Sequence, residues 1–191
     1  MATMAELAEF PDPSLSPWRE WTVEDLESLP DDGRRYELID GILSVSPAPL
    51  PLHQRALREL LIVLHAGCPA EDEVFCAPLD WQPDARNSIQ PDLLVVRRRD
   101  VGPRSIRRPL LLAVEILSPT TRRRDQSLKR RVYEEAGVVS YWMFDPEVPS
   151  LVVCELVEGR YVEAAKAIGG EEVHVELPYP VRLCPAELAE G

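Results

Sequence analysis

Two stretches decide how this chain folds: Pro91-Asp92-Leu93-Leu94-Val95-Val96 and, after an arginine-rich connection, Leu110-Leu111-Leu112-Ala113-Val114-Glu115. Both apolar runs are short, rich in Val and Leu and bounded by turn signals, which predicts two strands. The second run has no polar alternation, so it is expected to be buried on both faces. Glu115 then ends a central strand, a costly place for a charge without a partner. In an antiparallel pair the start of the first strand lies beside the end of the second, which sets Asp92 next to Glu115. Adjacent carboxylates repel unless a cation or a proton lies between them. Oxygen ligands of this kind suit a hard divalent ion such as Mg²⁺ or Mn²⁺. Such an ion can activate a water and stabilise charge on a phosphoryl oxygen.

Working outward, Thr22 followed by Asp25 predicts a capped short helix over residues 22–29. Tyr36-Glu37-Leu38-Ile39 and Ile42-Leu43-Ser44-Val45 flank Asp40-Gly41, a strong hairpin signal. Ala56, Leu57, Leu60, Leu61 and Leu64 fall at the spacing of an amphipathic helix over residues 52–65. Residues 74–81 read as one strand or two, and 84–88 as a turn cluster. A helix is expected from about 121 to 136, ended by Gly137, with Leu128, Val132 and Tyr133 facing inward. A strand over 138–144 and an edge hairpin turning at Glu158-Gly159 follow. Residues 1–17 read as a loose arm and 18–191 as one domain of α+β type, with helices packed on a mixed sheet.

No apolar run approaches the ~20 residues needed to span a bilayer, and the acidic N-terminus does not resemble a secretory signal. Cys68, Cys76, Cys154 and Cys184 show no C-x-x-C spacing; free thiols and a cytoplasmic location are expected. Net charge is −12, yet residues 97–131 carry 12 Lys plus Arg against three acids, a segment of +9. Such a patch is either a footprint for nucleic acid or a solvated surface balanced by nearby acids.

Lysine usage is informative. Among 21 basic residues only Lys129 and Lys166 are lysines, so arginine serves wherever any cation will do. A retained Lys129 points to a site needing a compact ammonium; the alternative is a surface pair with Asp125, four residues earlier. Arg122, Arg123 and Arg124 lie near a helix start, where cations oppose the macrodipole unless an anion such as a DNA phosphate approaches. There is no H-E-x-x-H zinc pattern, nucleophile elbow or phosphate loop.

Taken in order, Tyr36-Glu37-Leu38-Ile39-Asp40-Gly41, Pro51-x-His53, Gln90-Pro91-Asp92, Val114-Glu115-Ile116-Leu117-Ser118-Pro119, Asp125-x-x-x-Lys129 and Tyr141-Trp142-x-x-Asp145-Pro146 resemble the Uma-two family of restriction endonucleases, within the PD-(D/E)XK nuclease superfamily. The resemblance spans roughly residues 21–162. It implies a restriction-endonuclease-like core, a mixed and mostly antiparallel sheet flanked by helices, and Mg²⁺-dependent hydrolysis of DNA. It implies that Asp92 and Glu115 hold the metal, with the Ile116 carbonyl as an extra ligand and Glu37 as a further acid. Leu117 departs from the motif, which has lysine there; Lys129 is expected to replace it from the next helix. His53 and Gln90 match family positions and join Arg122, Arg123 and Arg124 as expected DNA contacts. Cutting both strands would favour a homodimer. The rival readings are a catalytically silent nucleic-acid-binding module and an oligomeric scaffold on the same fold.

Overall fold

The computed structural model describes residues 19–29, 32–46, 48–118 and 124–190, with 124–126 in backbone alone. The arm expected over residues 1–17 lies outside the described residues. A one-turn helix α1 (Val23–Leu26) precedes the hairpin β1 (Arg35–Ile39) and β2 (Ile42–Ser46) and the long helix α2 (Pro51–Gly67). Then come β3 (Asp72–Cys76), β4 (Trp81–Asp84), β5 (Asn87–Ile89), β6 (Leu93–Arg97) and, after a long connection, β7 (Leu112–Ile116). A π-helical stretch, Arg124–Lys129, runs into α3 (Arg130–Glu135), followed by β8 (Ser140–Asp145), β9 (Ser150–Val157) and β10 (Arg160–Ile168). A ribbon of β11 (Val173–Val175) and β12 (Val181–Leu183) and the helix α4 (Pro185–Glu190) complete the described elements.

The central sheet has the order β10-β9-β8-β7-β6-β3. Only β7 and β8 run parallel; the other pairs are antiparallel. This is the mixed, mostly antiparallel α+β class expected from the sequence. Every residue of β7 is buried because both faces of the sheet are covered. Successive side chains point to opposite faces. Leu93, Val95, Leu112, Val114 and Ile116 pack with Ala56, Leu60 and Leu64 of α2. Leu94, Val96, Ala113 and Tyr141 pack with Val132 and Tyr133 of α3 and with Trp81 and Ile89. Each such buried aliphatic side chain contributes about 1.5–3 kcal/mol.

The register of β6 on β7 pairs Leu93 with Val114, which leaves Asp92 and Glu115 facing each other at one end of the pair. The loop that joins the two strands therefore leaves from the opposite end, which sets its first two arginines away from the carboxylates. Arg97 pairs there with Asp72 and Arg98 with Glu73, acids of β3. One β6 length, roughly 16 Å at ~3.3 Å per residue, separates them from Asp92.

A second sheet, in the order β2-β1-β5-β4, packs against the α3 side of the first. Its hairpin turns at Asp40 and Gly41, with φ of 51° and 77°. Both lie in the left-handed region that two-residue hairpin loops require. Leu38 and Leu43 join Trp21 and Val23 in a small core of their own, under the helix whose start is fixed by a Thr22–Asp25 capping box. The alternation of β1 sends Arg35, Glu37 and Ile39 to the other face, toward the central sheet. Ile39 joins the core there. Of the residues expected in one turn, Asn87 and Ser88 are strand and buried.

Three further expectations change. The single helix over 121–136 is a π-helical stretch followed by α3, with residues 121–123 outside the described ones. Leu128 is exposed rather than inward, because its neighbour Lys129 takes the inward position. Of the two readings of Lys129, the surface alternative falls away, since Lys129 is 1% exposed. The four cysteines are free thiols, and Gly137, at φ 76°, ends α3 as expected. The edge strand β10 has a register shift between Glu163 and Ala165. Among the described residues no helix is long and apolar enough to cross a membrane.

Candidate active site

At the Asp92–Glu115 end of the central sheet, three buried carboxylates, the buried Lys129 ammonium and the partly exposed Arg35 guanidinium form one row. Lys129 Nζ lies 3.0 Å from both oxygens of Glu115 and 2.9 Å from Oε1 of Glu37. Arg35 continues the row, its two terminal nitrogens each 3.3 Å from a carboxylate oxygen, one of Glu37 and one of Asp92. His53 Nε2 stands 3.2 Å from the second oxygen of Asp92. The order is Glu115, Lys129, Glu37, Arg35, Asp92, His53, with charge alternating from Glu115 to Asp92. Such alternation is how several charges share a buried space, since removing one partner leaves the next charge desolvated and uncompensated.

Each member is delivered by a local rule. Asp92 precedes β6, and its Oδ2 accepts a 2.8 Å hydrogen bond from the Ile116 backbone N–H on the neighbouring strand. That bond ties the start of β6 directly to the end of β7. Glu115 shares the face of Ala113 on β7, two residues earlier, and so points toward α3. Lys129 and Tyr133 lie four residues apart, one above the other on a helix face, and both reach Glu115. Tyr133 donates its hydroxyl to Glu115 Oε1 at 2.5 Å. Arg35 and Glu37 alternate onto one face of β1. The Gln90 backbone N–H donates to Glu37 at 3.0 Å, while its side chain turns to Asp80. His53 sits in the first turn of α2, which begins at Pro51 without a side-chain cap.

The electrostatics follow from this order. Burial pushes the Asp92 carboxyl up, but the His53 hydrogen bond and charge, then Arg35 and Lys129, outweigh it and hold the carboxyl at about 2. Asp92 is thus ionised throughout the neutral range. Burial works against the charge of Arg35, yet Glu37, Asp92 and Glu115 raise its pKa. Burial, then the Glu115 charge and hydrogen bond, raise the Tyr133 phenol well above its ordinary value, so it acts as a donor only.

This donor set suits a hard divalent cation. Its ligating atoms are carboxylate oxygens, and one cation, the Lys129 ammonium, is already lodged among three of them. Among the described residues no three His, Cys, Asp or Glu side chains are spaced to hold one ion. Two carboxylates completed by waters form a set that Mg²⁺ accepts. Asp92 and Glu115, with Glu37 beside them, are the residues that could hold it.

Of the residues expected from sequence, Asp92, Glu115, Lys129, Glu37 and His53 converge, and Ile116 joins them through its backbone N–H. Gln90 contributes its backbone to Glu37 rather than a side chain turned to solvent. Arg122 and Arg123 lie outside the described residues, as does the Arg124 side chain. Leu117, where the motif has lysine, is 4% exposed. Sequence reasoning missed Arg35 altogether and treated Tyr133 only as core. The available signals were spacing: Arg35 is two residues from Glu37 on a strand, and Tyr133 four from Lys129 on a helix.

The fold and the site together define a nuclease-like α+β protein. A family model, Uma2, described as "Putative restriction endonuclease", matches residues 23–186, and the chain belongs to that family. The crystal structure of "a putative nuclease belonging to DUF820 from Anabaena variabilis ATCC 29413" shares the fold with a TM-score of 0.68. The two chains are 18% identical over 88% of this one and 97% of the other. No curated protein matches the sequence.

Proposed function

We propose that the protein is a metal-dependent endonuclease hydrolysing phosphodiester bonds in DNA. The observation that carries this reading is the burial of Asp92, Glu115 and Lys129 together at one end of the central sheet. Asp92 and Glu115 would hold Mg²⁺ or Mn²⁺, with the Ile116 carbonyl as a further oxygen donor, waters completing the shell and Glu37 meeting one of those waters. When bound, such an ion polarises a phosphoryl oxygen and makes a water acidic enough to attack. The protein's own groups do the rest. The Ile116 N–H and His53 keep Asp92 ionised and oriented. Tyr133 and Lys129 fix Glu115 in one rotamer. The Lys129 ammonium stabilises charge that grows on the phosphate oxygens in the transition state, where such a group contributes most. Lys129 thereby replaces the lysine that Leu117 lacks. Arg122, Arg123 and Arg124 would contact the DNA backbone. A two-fold pair of chains would present one site to each strand.

The test is cleavage of supercoiled plasmid with Mn²⁺ or Mg²⁺ under single-turnover conditions. Wild type should nick or linearise the plasmid, and a chelator should stop it. Glu115→Gln should be inactive, and Lys129→Met slower by roughly 10²–10³-fold, the scale of losing one pre-organised charge-stabilising group. Absence of cleavage with every metal, together with no metal-induced rise in Tm, would overturn the reading and favour a silent binding module.

A further inference from the structure

The two cations of the row differ in how they are held. Lys129 is 1% exposed and makes three contacts of 2.9–3.0 Å. Arg35 has a side chain 25% exposed and makes two contacts of 3.3 Å. Charge-assisted N–H···O⁻ bonds ordinarily fall near 2.7–2.9 Å, so Arg35 is the loosely held member. Its Nε is also buried without a hydrogen-bond partner among the described residues. A buried donor without a partner is one that an incoming acceptor would satisfy. In His53, likewise, Nε2 meets Asp92 while Nδ1 is buried without a hydrogen-bond partner among the described residues. Both side chains thus hold Asp92 with one nitrogen and leave another unused.

From this we infer that Arg35 has two stations. Resting on the proposed nuclease function above, it is the counter-cation of Asp92 and Glu37 in the metal-free protein and the clamp for the scissile phosphodiester in the loaded one. The guanidinium leaves the carboxylates once they are neutralised by a divalent ion. It then turns to the phosphate, whose non-bridging oxygens match its planar fork and can accept from Nε. Lys129, fully enclosed, stays with Glu115. The β1 strand does not move in this exchange; only a partly exposed side chain changes rotamer. Arg35 is then a competitor of the metal and an ally of the substrate, a pairing of effects that a purely structural arginine would not show.

The two effects have opposite signs and can be measured separately. Mn²⁺ affinity is read without DNA by titration calorimetry or by the rise in Tm with metal concentration. Cleavage is read in single turnover against DNA concentration. Removing a positive charge from beside the metal ligands should tighten Mn²⁺ binding by Arg35→Gln about ten-fold or more. The same variant should cut about 10²-fold more slowly and need more DNA for half-maximal rate. Arg35→Lys, which keeps the charge and protects against a failure to fold, should hold Mn²⁺ affinity within about three-fold of wild type. It should still cut at least about ten-fold slower, because an ammonium does not reproduce the fork. If wild type binds Mn²⁺ and cleaves, but Arg35→Gln binds Mn²⁺ no tighter, the two-station role is overturned and the nuclease reading stands. If Arg35→Gln does not fold, cleavage by Arg35→Lys at the wild-type rate overturns it equally. If wild type neither binds Mn²⁺ nor cleaves, the functional reading fails and this inference fails with it.

Discussion

Replacing Lys129 by Met keeps the bulk of the stem and deletes one charge, and the structure sets the size of the effect. The ammonium is the contact shared by Glu115 and Glu37, at 2.9–3.0 Å, and all three side chains are at most 2% exposed. Removing one partner from such a buried group costs about 3–5 kcal/mol, because the desolvated carboxylates remain. For a chain of this size ~1 kcal/mol shifts Tm by about 2–4 °C, so a fall of roughly 6–20 °C is expected. The loss should also depend on pH. Two carboxylates left close together, with only Arg35 on the far side of Glu37 as counter-charge, tend to take up a proton between them. Folding of the variant then binds a proton that the unfolded chain, above about pH 5, does not hold, so its stability falls as pH rises. The gap from wild type should narrow between pH 7.5 and 5.5 by up to about 1.4 kcal/mol per pH unit. Urea denaturation at both pH values measures this, with an unchanged m showing that the folded state is the same size. Adding Glu115→Gln to Lys129→Met should recover part of the loss. A destabilisation below about 1 kcal/mol, equal at the two pH values, would refute the buried ammonium.

Asp92, held at about 2 against an ordinary 3.8, should stabilise the fold by about 2–3 kcal/mol above pH ~4 and lose that contribution as pH falls toward 2. Acid titration of stability should show this limb in wild type and not in Asp92→Asn, which should also be less stable at neutral pH because Arg35 and the Ile116 N–H lose an ionised acceptor. Tyr133→Phe removes the 2.5 Å donor to Glu115 and should lower stability by about 1–2 kcal/mol, measured by thermal melting. Replacing Arg122, Arg123 and Arg124 by Ser should flatten the slope of log K against log[salt] for DNA by about one unit per lost phosphate contact; an unchanged slope in a filter-binding series would place them on an inert surface.

Much of the site was legible from local rules. An all-apolar run ending in Glu115 required a buried strand, and antiparallel pairing with the Asp92 run required the two acids to meet. Scarcity of lysine marked Lys129. The Asp-Gly turn and the 3.6-residue spacing of the long helix were equally plain. What escaped notice depends on contacts far apart in the chain. Arg35 reaches Asp92 across 57 positions; its spacing of two from Glu37 sets it on that acid's face of the strand, but spacing alone does not reveal the second acid it meets. Leu128, expected inward, is exposed because the adjacent Lys129 takes the inward position, and burial of Lys129 is favoured only with Glu37 and Glu115 both present to receive it. The far-end placement of Arg97 and Arg98 was implicit in the antiparallel pairing itself, since a loop joining two such strands leaves from the end opposite the one where Asp92 and Glu115 meet. Segment charge alone does not carry that geometry.

The shifted register of β10 bears on how copies of the protein meet in a crowded solution. An open sheet edge is a template for adding strands from other chains, and a kink together with a charged side chain makes such growth unfavourable. The irregularity between Glu163 and Ala165 interrupts the regular row of backbone donors and acceptors, and the exposed Lys166, one of only two lysines in the chain, follows it directly. One lysine therefore serves the interior row of charges, and the other guards the rim of the sheet against fibre-like stacking.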